Sequence, residues 1–311
     1  MQHPLPHDAR MRWQRGHTGG IEDRRGQGGL GGGFGMGGMG GGGIPIPAGL
    51  GGGGAIIVVL IFLALQFFGG GGGGGGLGSG LDGLGGQGAV QPGASVDLTN
   101  NGDMVEFVGY VLDDANALWA DTFQRTGQQY TPAPLVLFEG QTVSGCGQAS
   151  SQTGPFYCPA DRKVYVDLDF FTELDRRFGA PGDFAQAYVI AHEIGHHVQT
   201  VTGIEGEVRQ LQQQAGSQEE VNGLSVKMEL QADCLAGIWA QSVYEQGDLQ
   251  AGDIEEGLGA ASAVGDDRIQ AGAGVDVNPE TWTHGSSEQR MAWFQRGYQS
   301  GDPARCDTFS S

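Results

Sequence analysis

Residues 183–202 read Asp183-Phe184-Ala185-Gln186-Ala187-Tyr188-Val189-Ile190-Ala191-His192-Glu193-Ile194-Gly195-His196-His197-Val198-Gln199-Thr200-Val201-Thr202. Within them His192-Glu193-Ile194-Gly195-His196 is an HExxH motif. On a helix, positions i and i+4 share one face. Two imidazoles there can grip one metal ion, and the glutamate between them lies close enough to act on a water held by that ion. Asp183 follows Pro181-Gly182 and suits the start of such a helix. The competing reading is a polar helix face with no metal. The motif makes zinc the expected cofactor, with His192 and His196 as ligands and Glu193 as general base.

A third ligand sorts the possibilities. One arrangement would put Gly at 199 and His at 202, but the chain has Gln199 and Thr202. Another needs Glu-x-x-x-Asp on a second helix, and Glu229 and Asp233 supply it. Glu229 is the expected third ligand. Asp233, one turn on, can accept the outward N–H of a ligand histidine, fixing its tautomer and raising its basicity. Met228, Leu230, Leu235, Ile238 and Trp239 flank the pair, so the helix is at least half buried, and a buried carboxylate requires a partner. His197 points about 100° away from the metal face and reads as a packing or surface residue. His284 has two readings: an electrophile facing the oxyanion that develops during water attack, or a helix-flanking residue bonded to backbone. Arg290 either locks Glu229 or Asp233 in place or forms a surface ion pair, and the surface pair is the simpler expectation.

The combination of HEIGHHVQ (192–199), MELQADCLAG (228–237) and HGSSEQR (284–290) resembles the bacterial neutral zinc metallopeptidase family, the YpfJ-like group. The resemblance covers about residues 95–311. It implies a glycine-rich tail, one membrane span and a zincin-like domain. Carried over by position, it also implies His192, His196 and Glu229 as zinc ligands and Glu193 as catalytic base.

Composition divides the chain. Thirty-six of its 61 glycines fall in the first 93 residues. Such a stretch buries too little apolar surface to offset backbone ordering, so residues 1–43 are expected to be a disordered tail. Residues 55–68 are an apolar run, and no charge occurs between Arg25 and Asp82. A transmembrane helix over 48–70 is expected, followed by a Gly-rich linker over 71–95 and the catalytic domain over 96–311. Arg10, Arg12, Arg15, Arg24 and Arg25 precede the apolar run. The positive-inside rule then puts the tail in the cytoplasm and the domain on the periplasmic side of a bacterial inner membrane.

All four cysteines, Cys146, Cys158, Cys234 and Cys306, lie in the domain. Two disulfides are expected, with three connectivities open. A Cys146–Cys158 bridge would close a short loop, and Cys234–Cys306 would staple the C-terminus to the Glu229 helix. The formal net charge is −20, which disfavours nucleic acid and anionic lipid as partners.

The fold expected is α+β: a small, antiparallel-containing sheet plus helices, in a zincin-like metallopeptidase domain. Helices are read at 104–124, 170–178, 184–202, 218–246, 252–270 and 286–299, and strands at 135–138, 156–158 and 163–168. The strand at Lys163–Leu168 is placed to bind substrate backbone as an edge, or is an ordinary sheet strand. The function expected is hydrolysis of peptide bonds in a peptide or protein substrate by metal-activated water. The alternative is a zinc-stabilised, membrane-tethered binding or chaperone-like protein without proteolysis.

Overall fold

The computed structural model describes residues 11–15, 17–26, 96–99 and 101–310. A four-stranded sheet runs in the order β1 (Ile21–Asp23), β2 (Leu135–Phe138), β6 (Lys163–Asp167), β5 (Phe156–Cys158). The first three strands are parallel and β5 is antiparallel to β6. All four residues of β2 are buried, as a central strand covered on both faces requires. A separate hairpin joins β3 (Gln141–Ser144) to β4 (Gly147–Ser150).

Eight α-helices make up most of the rest of the described residues. They are α1 (Gly102–Arg125), α2 (Asp169–Arg176), α3 (Asp183–Thr202), α4 (Ile204–Gln214), α5 (Gln218–Gln246), α6 (Asp253–Ala263), α7 (Asp266–Gly272) and α8 (Ser287–Ser300). In α1, Val105, Val108, Leu112, Ala115, Trp119 and Phe123 recur at helical spacing and are all buried. Helix α3 is the hub, packed against α1, α5 and α6 with β5 and β6 alongside. The helix read at 252–270 is two helices, broken at Val264 and Gly265. A side chain at Gly265 would meet the Ser287 backbone N at 2.4 Å. Both disulfides form, Cys146–Cys158 and Cys234–Cys306.

The N-terminal expectation is corrected. Residues 11–15 and 17–26 belong to the folded body. Met11 is buried, Trp13 meets Phe107 edge-on, and Arg15 pairs with Asp103 and Glu106 at 2.6 and 2.9 Å. Ile21 pairs with Leu135, Leu135 N–H donates to Gly20 O, and Arg24 N–H donates to Leu137 O. The segment crosses α1 at Gly109, where a Cβ would fall 1.5 Å from the His17 carbonyl oxygen. Glycine content averaged over 1–43 hid a short stretch whose apolar and arginine side chains have surface and charge to offer.

The fold class is corrected with it. Among the described residues no helix is long and apolar enough to cross a membrane. The expected span at 48–70 and the linker at 71–95 lie outside the described residues. The expected topology also conflicts with the strand pairing. A chain crossing a bilayer once between residues 26 and 96 would leave β1 and β2 on opposite sides, yet they share a hydrogen-bonded ladder.

Of the two readings of the strand at 163–168, the ordinary sheet strand holds and the substrate edge does not: β6 lies between β2 and β5, so Lys163–Asp167 is interior, and the edge beside α3 is β5.

Candidate metal centre

Helices α3 and α5 cross so that His192, Glu193 and His196 of one face Glu229 and Asp233 of the other. The Glu229 carboxylate sits between the two imidazoles, with Oε2 at 3.1 Å from His192 Nε2 and Oε1 at 3.4 Å from His196 Nε2. One donor atom from each of the three residues lies within 4.8 Å of the others. Exposure of His192, Glu193 and Glu229 is 6–8%, so their charges act on one another through little water. Burial opposes charge on His192, but Asp233 and Glu229 outweigh it and hold the ring up at about 10. Burial likewise works against an ionised Glu229, and His196 and His192 pull its carboxyl well below the usual range.

Around these atoms lies a ring of buried supports. Asp233 Oδ1 accepts His192 Nδ1–H at 2.9 Å, the Tyr188 hydroxyl and Arg290 Nη2–H at 2.9 Å. Asp233 Oδ2 accepts Arg290 Nε–H at 2.8 Å. Arg290 is 3% exposed and also stands 3.8 Å from Glu229. It is therefore no surface ion pair; it neutralises the carboxylates behind the histidines. Helix α8 brings it there by packing closely on α5. A Cβ at Gly297 would lie 1.9 Å from Cys234 O, and one at Gly237 would lie 2.0 Å from Phe294 O.

His196 has its own support. Its Nδ1–H donates to Gln199 Oε1 at 2.8 Å. The Gln199 amide nitrogen donates in turn to Met228 O and to Gln231 Oε1. Gln231 donates to the carbonyl of Cys306, which is bridged to Cys234.

His284 lines the same cleft as His192, Glu193 and Glu229. Its Nδ1 faces Asp266 Oδ1 at 3.1 Å, while Asp266 Oδ2 accepts the backbone N–H groups of Thr283, His284 and Gly285. Burial opposes its charge, and Asp266 overcomes this and raises the ring. The cleft is a cavity of about 210 Å³. Beyond these polar groups it is walled by Phe156, Phe170, Phe178, Val189, Val264 and Ile269.

Residues 11–309 match the family described as "Putative neutral zinc metallopeptidase". The chain belongs to this family. The Escherichia coli K12 "Uncharacterized protein YpfJ" is 47% identical over 305 residues, covering 96% of this chain and 99% of that protein. The Mycobacterium tuberculosis "Uncharacterized protein Rv2575" is 50% identical over 193 residues, 58% of this chain and 64% of that protein. No solved structure matches. The family match begins at residue 11, so it takes in the N-terminal strand that the fold requires.

The family name implies zinc, and the donor set fits it. Two imidazole nitrogens and one carboxylate are borderline ligands of the kind zinc takes in hydrolases. The outward nitrogens of both imidazoles are already held by acceptors, which leaves the inward nitrogens facing Glu229. Sequence reading named His192, Glu193, His196, Glu229, Asp233, His284 and Arg290, and the structure brings all seven to one place. It missed Tyr188, Gln199, Gln231 and Asp266. Gln199 carried a signal, since it lies three residues after His196 and so one turn along. Asp266 carried none, because a bend of the chain alone brings it to His284. His197 faces away, with Nε2–H on Thr131 O and Nδ1 accepting from the Tyr157 hydroxyl.

Proposed function

We propose that this chain hydrolyses peptide bonds, with zinc held by His192, His196 and Glu229. One observation carries the reading: these three side chains, Glu193 and His284 line a single apolar cleft. Zinc, when bound, lowers the pKa of a water molecule and polarises the scissile carbonyl.

The chain's own residues supply the rest. Glu193 takes the water proton and passes it to the leaving amine. Burial raises its carboxyl, against the pull of His192, His196 and the Tyr157 N–H. His284, with Asp266 behind it, donates to the oxyanion forming on the attacked carbonyl. Asp233 and Gln199 hold the two ligand rings in orientation. Strand β5 offers the edge on which an extended peptide can pair. Its Tyr157 hydroxyl is tied to α3 through His197. The apolar walls of the cleft favour a substrate with a bulky apolar side chain next to the scissile bond.

The test is zinc content and casein or peptide-library digestion by the purified whole chain and by Glu193→Gln. Equal zinc with turnover lost only in the variant supports the reading. Cleavage that persists in Glu193→Gln removes the base. Zinc without cleavage in the unaltered protein leaves a zinc-stabilised binding protein.

A further inference from the structure

The two ligand histidines are held from behind in different ways. His192 leans on a charge, the Asp233 carboxylate, which is itself tied to Arg290. His196 leans on a neutral relay. Its Nδ1–H donates to Gln199 Oε1, Gln199 Nε2–H donates to Met228 O and Gln231 Oε1, and Gln231 Nε2–H donates to Cys306 O at 3.0 Å. Gln199, Gln231 and Cys306 are all buried, so bulk water does not replace a lost partner there.

A primary amide offers a donor at one end and an acceptor at the other, so a relay of amides has a direction. The far end sets it here. A backbone carbonyl only accepts, so Cys306 O requires the amide nitrogen of Gln231. The Gln231 oxygen then faces Gln199 and requires its amide nitrogen, which Met228 O also accepts. The Gln199 oxygen is left facing His196 and requires the proton on Nδ1. In the neutral ring that leaves the lone pair on Nε2, the inward nitrogen 3.4 Å from Glu229. A metal ligand needs that lone pair.

Cys306 closes the C-terminal turn Pro303–Cys306 and is bonded to Cys234. Cys234 lies three residues after Gln231 on α5, and so on the same side of the helix. Thr308, just beyond the turn, donates to Lys227 O at 2.7 Å. We propose that Gln231 and the Cys234–Cys306 bridge are positioning groups for the metal: the bridge holds the Cys306 carbonyl against Gln231, and the relay keeps His196 in the form that offers Nε2. This rests on the zinc reading above. Met228 O steadies Gln199 from a second side, so losing the far end weakens zinc without abolishing its binding. The other bridge joins the turn between β3 and β4 to β5, outside the relay, and serves as the control.

The test measures the zinc dissociation constant of the whole chain by competition with a chelating dye. Gln231→Met removes both relay bonds and keeps both bridges. Cys234→Ala with Cys306→Ala removes the anchor, and Cys146→Ala with Cys158→Ala removes the control bridge. The first two are expected to raise the zinc dissociation constant about tenfold. The control pair should lower the melting temperature and leave zinc affinity where it was. In zinc-loaded chain labelled with ¹⁵N-histidine, the His196 Nδ1–H signal, identified by its loss in Gln199→Leu, should exchange slowly with water. It should exchange faster in the two relay variants and not in the control pair, a change that lost stability alone would not produce. The inference is overturned if either relay variant binds zinc as tightly as the unaltered chain, or if the control pair weakens zinc as much as they do. Should the anchor pair fail to fold, Gln231→Met decides alone. An unaltered chain that binds no zinc would sink the zinc reading itself, whereas equal binding by the unaltered chain and Gln231→Met sinks only this inference.

Discussion

Helix α3 carries two clusters of buried ionisable groups, and they are balanced in opposite ways. Around its middle, negative groups meet positive ones or hydrogen-bond donors: Asp233 meets Arg290 and His192, and Glu229 meets both ligand histidines. At its start, Asp183, Asp253 and Glu256 meet one another, and Glu256 and Asp253 accept backbone N–H groups, with no cationic side chain between them among the described residues. The difference shows what internal compensation does. The middle can be shaped before any ion arrives, because α5 and α8 bring the opposing charges. Among the described residues the start has no such supply.

Changes at the middle should have the largest effects. Glu193→Gln is expected to cut turnover by about 10²–10⁴-fold while zinc content and melting temperature stay put, since Glu193 performs the proton transfer rather than holding the fold. A matching drop in zinc would show that Glu193 belongs to the charge balance instead. Arg290→Met leaves Asp233 buried beside Tyr188 without its ion pair, and should cost about 3–5 kcal/mol in chemical denaturation. Adding Asp233→Leu should restore much of that stability; a small loss in the single variant would break the contrast with the start of the helix. Gln199→Leu frees the outward nitrogen of His196 and should weaken zinc about 10–100-fold, read by competition with a zinc dye. Gln199→Glu should retain most of the affinity, because it keeps an acceptor.

The smallest effect is one of sign. Asp233 has its carboxyl lowered below 3.8, burial being outweighed by Arg290 and His192. Its contribution to stability is in place above 3.8 and is lost as pH falls below that value. Glu256 is raised from 4.5 to about 7. The folded form then holds the proton more tightly, so stability declines as pH rises from 4.5 through 7. Denaturation curves across that range separate the two.

What was legible in the sequence was what local spacing controls. The interval His192 to His196 and the interval Glu229 to Asp233 are each one helical turn, and that alone put each pair on one face. The strands at 135–138 and 156–158 and the start of the strand at 163 were readable from short apolar runs between turn residues. Sheet order was not, because register and neighbour choice are set by distant chain; hence β5, not β6, forms the edge. Asp266 and Tyr188 escaped notice for the same reason, as their partners lie 18 and 45 residues away. Arg290 was seen but placed outside, since nothing local reveals how closely α8 and α5 approach. Strand β1 was lost because three residues with apolar and charged side chains cannot register against so much glycine.

The pinning of β1 has a consequence for engineering. Arg25 and Asp97 sit side by side: Asp97 N–H donates to Asp23, and Arg25 bonds both Asp23 and the Asp97 carbonyl. The stretch that carries β1 and the stretch that leads into α1 are therefore clasped to each other. Removing residues 1–26 would strip a strand from the sheet, so a trimmed version for crystallisation should keep the first strand.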